Sequence, residues 1–270
     1  ATATMTSNMK IGNLSTLRNR VTSLGFGTDS YISGSYITKV GQEIGQFYGW
    51  VYEGIARTQE DLDNHATQEG AQIGDCLYKD DNDGKVDSED QVVLGSGMPK
   101  INFGLNARFE YKRFDLSIAT FGALNYHVSD DIYNSLNFAM AGETKKVGML
   151  EANRFSEDGS TYLSNVPRTY VTNSASLVGT TFQFTQDSEA AYWKIANVEL
   201  GYNFPDKWFG KYVSDVRFYV SAQNLHTFTG YHGYNVDYAG GTFTPGYNFC
   251  SYPTARTSCV AFILHSNRYF

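Results

Sequence analysis

The run Lys79-Asp80-Asp81-Asn82-Asp83-Gly84-Lys85-Val86-Asp87-Ser88-Glu89-Asp90 is the densest set of hard oxygen donors in the chain. Carboxylates at short intervals around a glycine suit Ca2+, which takes roughly 6–8 oxygen ligands and needs a sharp turn between them. Counting Gly84 as the sixth position of an EF-hand-type loop puts Asp81, Asp83, Asp87 and Asp90 at ligand-bearing places, with Lys79 first. No helical pattern flanks the run, so it is not a true EF-hand. A solvated acidic turn is the alternative to a metal loop.

A second concentration is aromatic. Tyr231, Tyr234, Tyr238, Phe243, Tyr247, Phe249 and Tyr252 crowd one stretch, with Gly230, Gly233, Gly240, Gly241 and Gly246 among them. A tyrosine ring offers rigid flat area with a polar tip, suited to sugar rings, peptides or a protein partner. Tyr231, Tyr234, Tyr238, Tyr247 and Tyr252 are therefore candidate contacts for substrate or partner. The alternative is a loop packed on neighbouring loops or on a membrane rim.

Catalysis finds no constellation. Gly-x-Ser-x-Gly, phosphate-loop and His-Glu-x-x-His motifs are absent. A glycosidase needs two carboxylates facing each other across a cleft, and the sequence displays no such pair. The five histidines lack ligand spacing, and Glu199 reads as a polar wall residue. Cys76, Cys250 and Cys259 have no CxxC spacing, which argues against zinc and against a disulfide framework, although Cys250 and Cys259 could meet across a loop.

The elements that must position these residues are strands. Period-2 alternation puts Phe103, Leu105, Ala107, Phe109 and Tyr111 opposite Asn102, Asn106, Arg108 and Glu110. After a turn at Lys112–Arg113, Phe114, Leu116 and Ile118 alternate with Asp115 and Ser117. Ala196 to Phe204, Val216 to Gln223, Val260 to Leu264 and the opening Ala3 to Ile11 repeat the arrangement, and a less tidy strand is expected between Tyr31 and Val51. About six strands result, with short turns at one end. Ala56 to Lys100, Ala123 to Ala191 and Thr227 to Thr254 form long connections at the other. That asymmetry marks an outer-membrane barrel, in which Val216, Phe218 and Val220 would face lipid, whereas alternation alone favours a β-sandwich. Phe270, the final residue, would lie in the membrane interface as an aromatic strand end and assembly signal.

Composition fits either reading. The 270 residues carry 21 Lys+Arg against 28 Asp+Glu, a formal charge of −7, which argues against nucleic acid as a partner. Eleven acidic and three basic residues between Arg57 and Asp90 supply −8 of it, leaving the rest near +1. The longest apolar run is Val260 to Leu264, too short for a spanning helix, and no basic segment leads into an apolar core as in a signal peptide. Barrel strands would escape that search, because only alternate residues are apolar.

Taken in order, the chain resembles the C-terminal part of SusC/RagA-type TonB-linked outer-membrane transporters. The resemblance runs through Lys39-Val40-Gly41-Gln42-Glu43-Ile44-Gly45, Phe47-Tyr48-Gly49, Glu53-Gly54-Ile55, the acidic run and Val93-Leu94-Gly95. It continues in Tyr111 to Leu116, Leu200-Gly201-Tyr202-Asn203-Phe204-Pro205 and Tyr219-Val220-Ser221-Ala222-Gln223-Asn224-Leu225. Two runs depart from the pattern. Gly233-Tyr234-Asn235-Val236-Asp237 stands where the family has Gly-Tyr-Asp-Pro-Glu, and Ala191-Tyr192-Trp193-Lys194 where it has Ser-Tyr-Leu-Arg.

The resemblance implies an all-β fold, an antiparallel transmembrane β-barrel segment belonging to a larger barrel of about 22 strands. Residues 1–270 would be barrel, without the plug domain, TonB box and early strands, and residues 56–100 an acidic outer loop. Six strands do not close a bacterial barrel, for which about eight is the minimum. The family pattern starts the calcium-like loop at Asp80 and Asn82, giving Asp80, Asn82, Asp83, Asp87 and Asp90 as metal candidates. Also implied are import of oligosaccharides or peptides and no enzymatic activity. A SusD-like lipoprotein would act as lid, TonB would engage the missing plug, and the site would be the outer membrane of a Gram-negative bacterium. A secreted β-sandwich carbohydrate-binding module with a calcium-stabilised loop is the alternative.

Overall fold

The computed structural model describes residues 5–25, 27–81, 83–130, 155–156, 166–168, 190–205, 208, 213–231, 233, 235–237, 240–248 and 251–266. Asn82, Tyr234, Tyr238, Phe249, Cys250 and Phe270 lie outside the described residues.

In chain order the strands are β1 (Met5–Thr16), β2 (Ser30–Ser33), β3 (Tyr36–Lys39), β4 (Gln46–Gly49), β5 (Tyr52–Ile55), β6 (Cys76–Tyr78), β7 (Val92–Ser96), β8 (Ile101–Tyr111), β9 (Phe114–Leu124), β10 (Ser129–Asp130), β11 (Tyr192–Asn203), β12 (Val213–Thr229), β13 (Tyr247–Asn248) and β14 (Thr257–Ser266). One six-residue helix, α1 (Gln59–Asn64), follows β5. Thr58 caps it by accepting from the Asp61 N–H. No helix among the described residues is long and apolar enough to cross a membrane.

Six strands make one antiparallel sheet in the order β1-β8-β9-β11-β12-β14. The alternation predicted these strands and their partners' faces, because residues opposite each other across an antiparallel pair share a face. Nearest the two short turns, Met5, Tyr111, Phe114, Tyr202, Phe218 and Phe262 stand in one row. Its rings touch, with Phe114–Tyr202 centroids 4.7 Å apart and Phe218–Phe262 4.9 Å. At the other end Phe103 lies over Gly122, where a Cβ would meet its ring at 2.5 Å, and Trp193 stacks on Phe228 at 5.4 Å. From row to row the strands take 9 residues in β8 and β9, 10 in β11 and 11 in β12. A tilted membrane strand needs about 9–11. Between the rows the same face carries Leu116, Leu200, Val220 and Val260, the last 65% exposed. An apolar face bounded by two aromatic rows, with no second sheet packed on it among the described residues, is a lipid-facing wall.

The differing lengths arise at one level. There β9 advances one residue (Ala119–Thr120), β11 two (Asn197 to Ile195) and β12 three (Gln223 to His226). The bulge in β11 lets Trp193 and Leu200, of opposite parity, both turn outwards. In β12 the extra residue is accommodated at Asn224, in the left-handed region (φ 51°).

Three expectations are corrected. Tyr31 to Val51 does not form one strand: positive φ at Gly34, Gly41 and Gly45 folds it into β2, β3 and β4 of a separate sheet ordered β2-β3-β4-β7. Val216, expected to face lipid with Phe218 and Val220, is only 3% exposed. Its carbonyl accepts from the Phe204 N–H, and Phe204 packs against Trp208 there. The connection expected from Thr227 begins later, because β12 runs to Thr229.

Candidate functional site

The long connections gather at the end of the wall away from the two short turns. Ala123, Tyr126, Val128, Ala190, Tyr231 and Val236 form a buried cluster there, with Tyr192 against it. Polar groups inside are satisfied. The Tyr126 hydroxyl donates to the Val236 carbonyl, and Asn248 Nδ2 donates to the Tyr231 hydroxyl and the Asn235 carbonyl, each at 2.8–3.0 Å. Burial, then the nearby Tyr192, Asp237 and Tyr231, push the Tyr126 phenol well above its ordinary value, so it stays protonated.

On the lumen side of β11, Lys194 is 3% exposed. Its Nζ donates to Asp237 Oδ2 at 2.8 Å and to Thr254 Oγ1 at 3.4 Å. The two runs that depart from the family pattern therefore meet in one ion pair, lysine and aspartate standing where the pattern has arginine and glutamate. Nothing local in the sequence signals a pair 43 positions apart.

The candidate tyrosines separate. Tyr231 is buried in the cluster, Tyr247 is partly exposed on β13, and Tyr252 is 87% exposed. Tyr247 and Asn248 pair in parallel with Ser129 and Asp130 of β10. Between Gly240 and Pro245, which bridge antiparallel, Phe243 is held out to solvent. The base of this loop is fixed by close approach: a Cβ on Gly97 would lie 1.9 Å from the Pro245 carbonyl oxygen, and one on Gly45 2.6 Å from Pro245 Cδ.

The acidic run closes as a compact turn. Asp90, buried, accepts from the Asp81 and Asp87 amides at 2.7 Å, and Asp87 accepts from Glu89 N–H. Asp80 accepts from Gly84, whose φ of 89° makes the turn, and Asp83 accepts from Lys85. The Trp50 indole donates to the Asp87 carbonyl. Carboxylate oxygens of Asp80, Asp81 and Asp83 lie within 4.8 Å of one another. Asp80 Oδ1 is buried with no hydrogen-bond partner among the described residues. That donor set fits a hard cation; Asp81 joins it, and Asp87 and Asp90 shape the turn.

The lumen face of the wall has its own charged cluster, unforeseen beyond Glu199. Arg217 on β12 donates to Asp115 on β9 at 2.6 Å and to Glu199 on β11 at 2.8 Å. Arg108 and Glu110 pair nearby on β8. These charges neutralise one another along a polar surface. No arrangement of nucleophile and base accompanies them among the described residues.

No protein-family model matches the chain. It is 28% identical over 264 residues to TonB-dependent receptor P3 of Formosa agariphila, covering 91% of this chain and 25% of that protein. Receptor P26 of the same organism is 28% identical over 263 residues, covering 90% and 26%. The chain thus spans about a quarter of the length of the curated relatives it matches. The RagAB peptide transporter shares the fold, with a TM-score of 0.72 at 20% identity over 95% of this chain and 26% of that one. The RagAB peptide importer in its closed-closed state gives 0.66 at 22%, over 95% and 27%. These relatives are receptors and transporters rather than enzymes, and they belong to the Gram-negative outer membrane, where a wall with one apolar face is at home. The chain is thus similar to part of these TonB-dependent receptors and has the all-β fold of the matching part of the RagAB transporter.

Proposed function

We propose that this chain supplies part of the wall and outer mouth of a TonB-dependent importer, which carries oligosaccharides or peptides across the outer membrane. A SusD-like surface lipoprotein acts as lid, and TonB delivers energy through a plug formed elsewhere in the receptor. The observation that carries this reading is the two-faced sheet: apolar between two aromatic rows outside, polar and charge-paired inside. The alternative sandwich would bury that apolar face, and here it is open. The test is to delete the receptor and measure growth on defined oligosaccharides and on peptides as sole carbon source, and to identify lipoproteins that copurify with it. Loss of growth on one cargo class with a lipoprotein recovered is expected. Undiminished growth on every cargo, with no lipoprotein recovered, overturns the reading.

We also propose that Asp80, Asp81 and Asp83 hold Ca2+ in the acidic turn. The support is their convergence and the unpartnered Asp80 oxygen. When bound, the ion would supply the charge that lets three carboxylates sit together; it takes no part in reaction chemistry. Terbium luminescence sensitised by Trp50, displaced by Ca2+ and abolished by Asp80→Asn/Asp83→Asn, is expected. No luminescence in the wild-type receptor rules the site out.

A further inference from the structure

Lys194 is a cation withdrawn from water at the outer end of β11, 5.8 Å above the Phe121 ring. A buried ammonium is tolerated only while its counter-charge stays in place. That counter-charge, Asp237, comes from the loop beyond β12 rather than from the wall itself. The loop's neighbouring residues are equally committed: Val236 and Tyr231 are in the cluster, and Asn248 is buried with two bonds to the same loop. Gly246 completes the restraint, since a Cβ there would meet the His127 carbonyl oxygen at 2.5 Å.

We propose that Lys194 and Asp237 are positioning residues whose ion pair fixes residues 235–237 and 240–248 of this outer loop as a rigid part of the barrel mouth, so that they do not serve as a moving lid. The exposed rings they carry, Phe243 and Tyr247, then present one preset surface to whatever passes. Such rigidity holds whichever cargo the receptor takes.

The test is hydrogen exchange by mass spectrometry on the full-length receptor in detergent micelles. Asp237→Asn is expected to speed exchange in peptides covering Val236–Asp237 and Tyr247–Asn248 by at least about tenfold. Peptides covering Val216 to Gln223 in β12 should keep the wild-type rate. Lys194→Arg/Asp237→Glu, which retains a pair, should restore protection. Should Asp237→Asn fail to assemble, Lys194→Met replaces it with the same expectation, because it leaves no ammonium buried. Unchanged loop exchange, loosening that spreads equally into β12, or a double variant as loose as the single one overturns the proposal.

Discussion

The Arg217 guanidinium occupies the space that a side chain on Gly201 would need. A Cβ at Gly201 would lie 2.5 Å from Arg217 Nη2 and 2.5 Å from Asp115 Oδ1. The glycine is thus what allows one arginine to reach carboxylates on two other strands. Gly201→Val should drive Arg217 off Asp115 and cost about 1–3 kcal/mol. The heat-dependent mobility shift of the receptor on gels would move to lower temperature. An unshifted transition would mean the cluster adds nothing to the wall.

Ile118 stands midway between Phe114 and Gly122 on the apolar face, and Ser117 points the other way. Ile118→Arg should destabilise the assembled barrel by about 2–4 kcal/mol, and Phe114→Arg, at the rim, by only about 0–1. Ser117→Arg should fall within about 0.5 kcal/mol of wild type. Denaturant titration in lipid vesicles separates the three. Equal costs at positions 117 and 118 would contradict the assignment of faces.

Cys76 and Cys259 are both free, one buried and one exposed. Burial, the largest cause, pushes the Cys76 thiol up from 9.0 to about 12, with a smaller opposing hydrogen bond from Tyr78. A folded-state value above the unfolded one means the native state holds its proton longer. The stability tied to this group is intact below pH 9 and is lost as pH rises towards 12. At pH 8 a thiol reagent should therefore modify Cys259 and spare Cys76, as peptide mapping would show. Between pH 9 and 11 the stability of Cys76→Ala should decline less steeply than that of wild type.

Asn224 adopts a left-handed conformation inside a strand, and its Nδ2 donates to the Ala255 carbonyl. Asn224→Gly should lose little beyond that hydrogen bond, about 0.5–1.5 kcal/mol. Asn224→Val should cost more, because a β-branched residue adds strain of about 1–3 kcal/mol in this region. Thermal unfolding of the two variants gives the comparison.

The wall was legible because its two environments force chemistry to alternate, and Phe103 to Tyr111 shows that directly. The bulge in β11 was not, since Ala196 fits either face and so hides the change of parity between Leu200 and Trp193. Nor was the second sheet, whose four-residue strands are too short for a period to emerge and whose β3 is buried at Tyr36, Ile37 and Thr38 alike. The acidic turn was visible as a string of carboxylates. Its division between donors that converge and those that brace the turn depends on which backbone amides come within reach. Arg217 and Lys194 look in sequence like ordinary basic residues of a polar face; their partners arrive from strands and loops far along the chain.

The one, two and three residues spent by β9, β11 and β12 at a single level have a consequence for how the wall is assembled. A one-residue slip of any strand would exchange its two faces. With the surplus stepping up from strand to strand, only one alignment of β11 on β9 turns both Trp193 and Leu200 towards lipid. The wall is in this sense self-indexing: an insertion machinery that lays strands down in succession needs no ruler, because each strand carries the measure for the next.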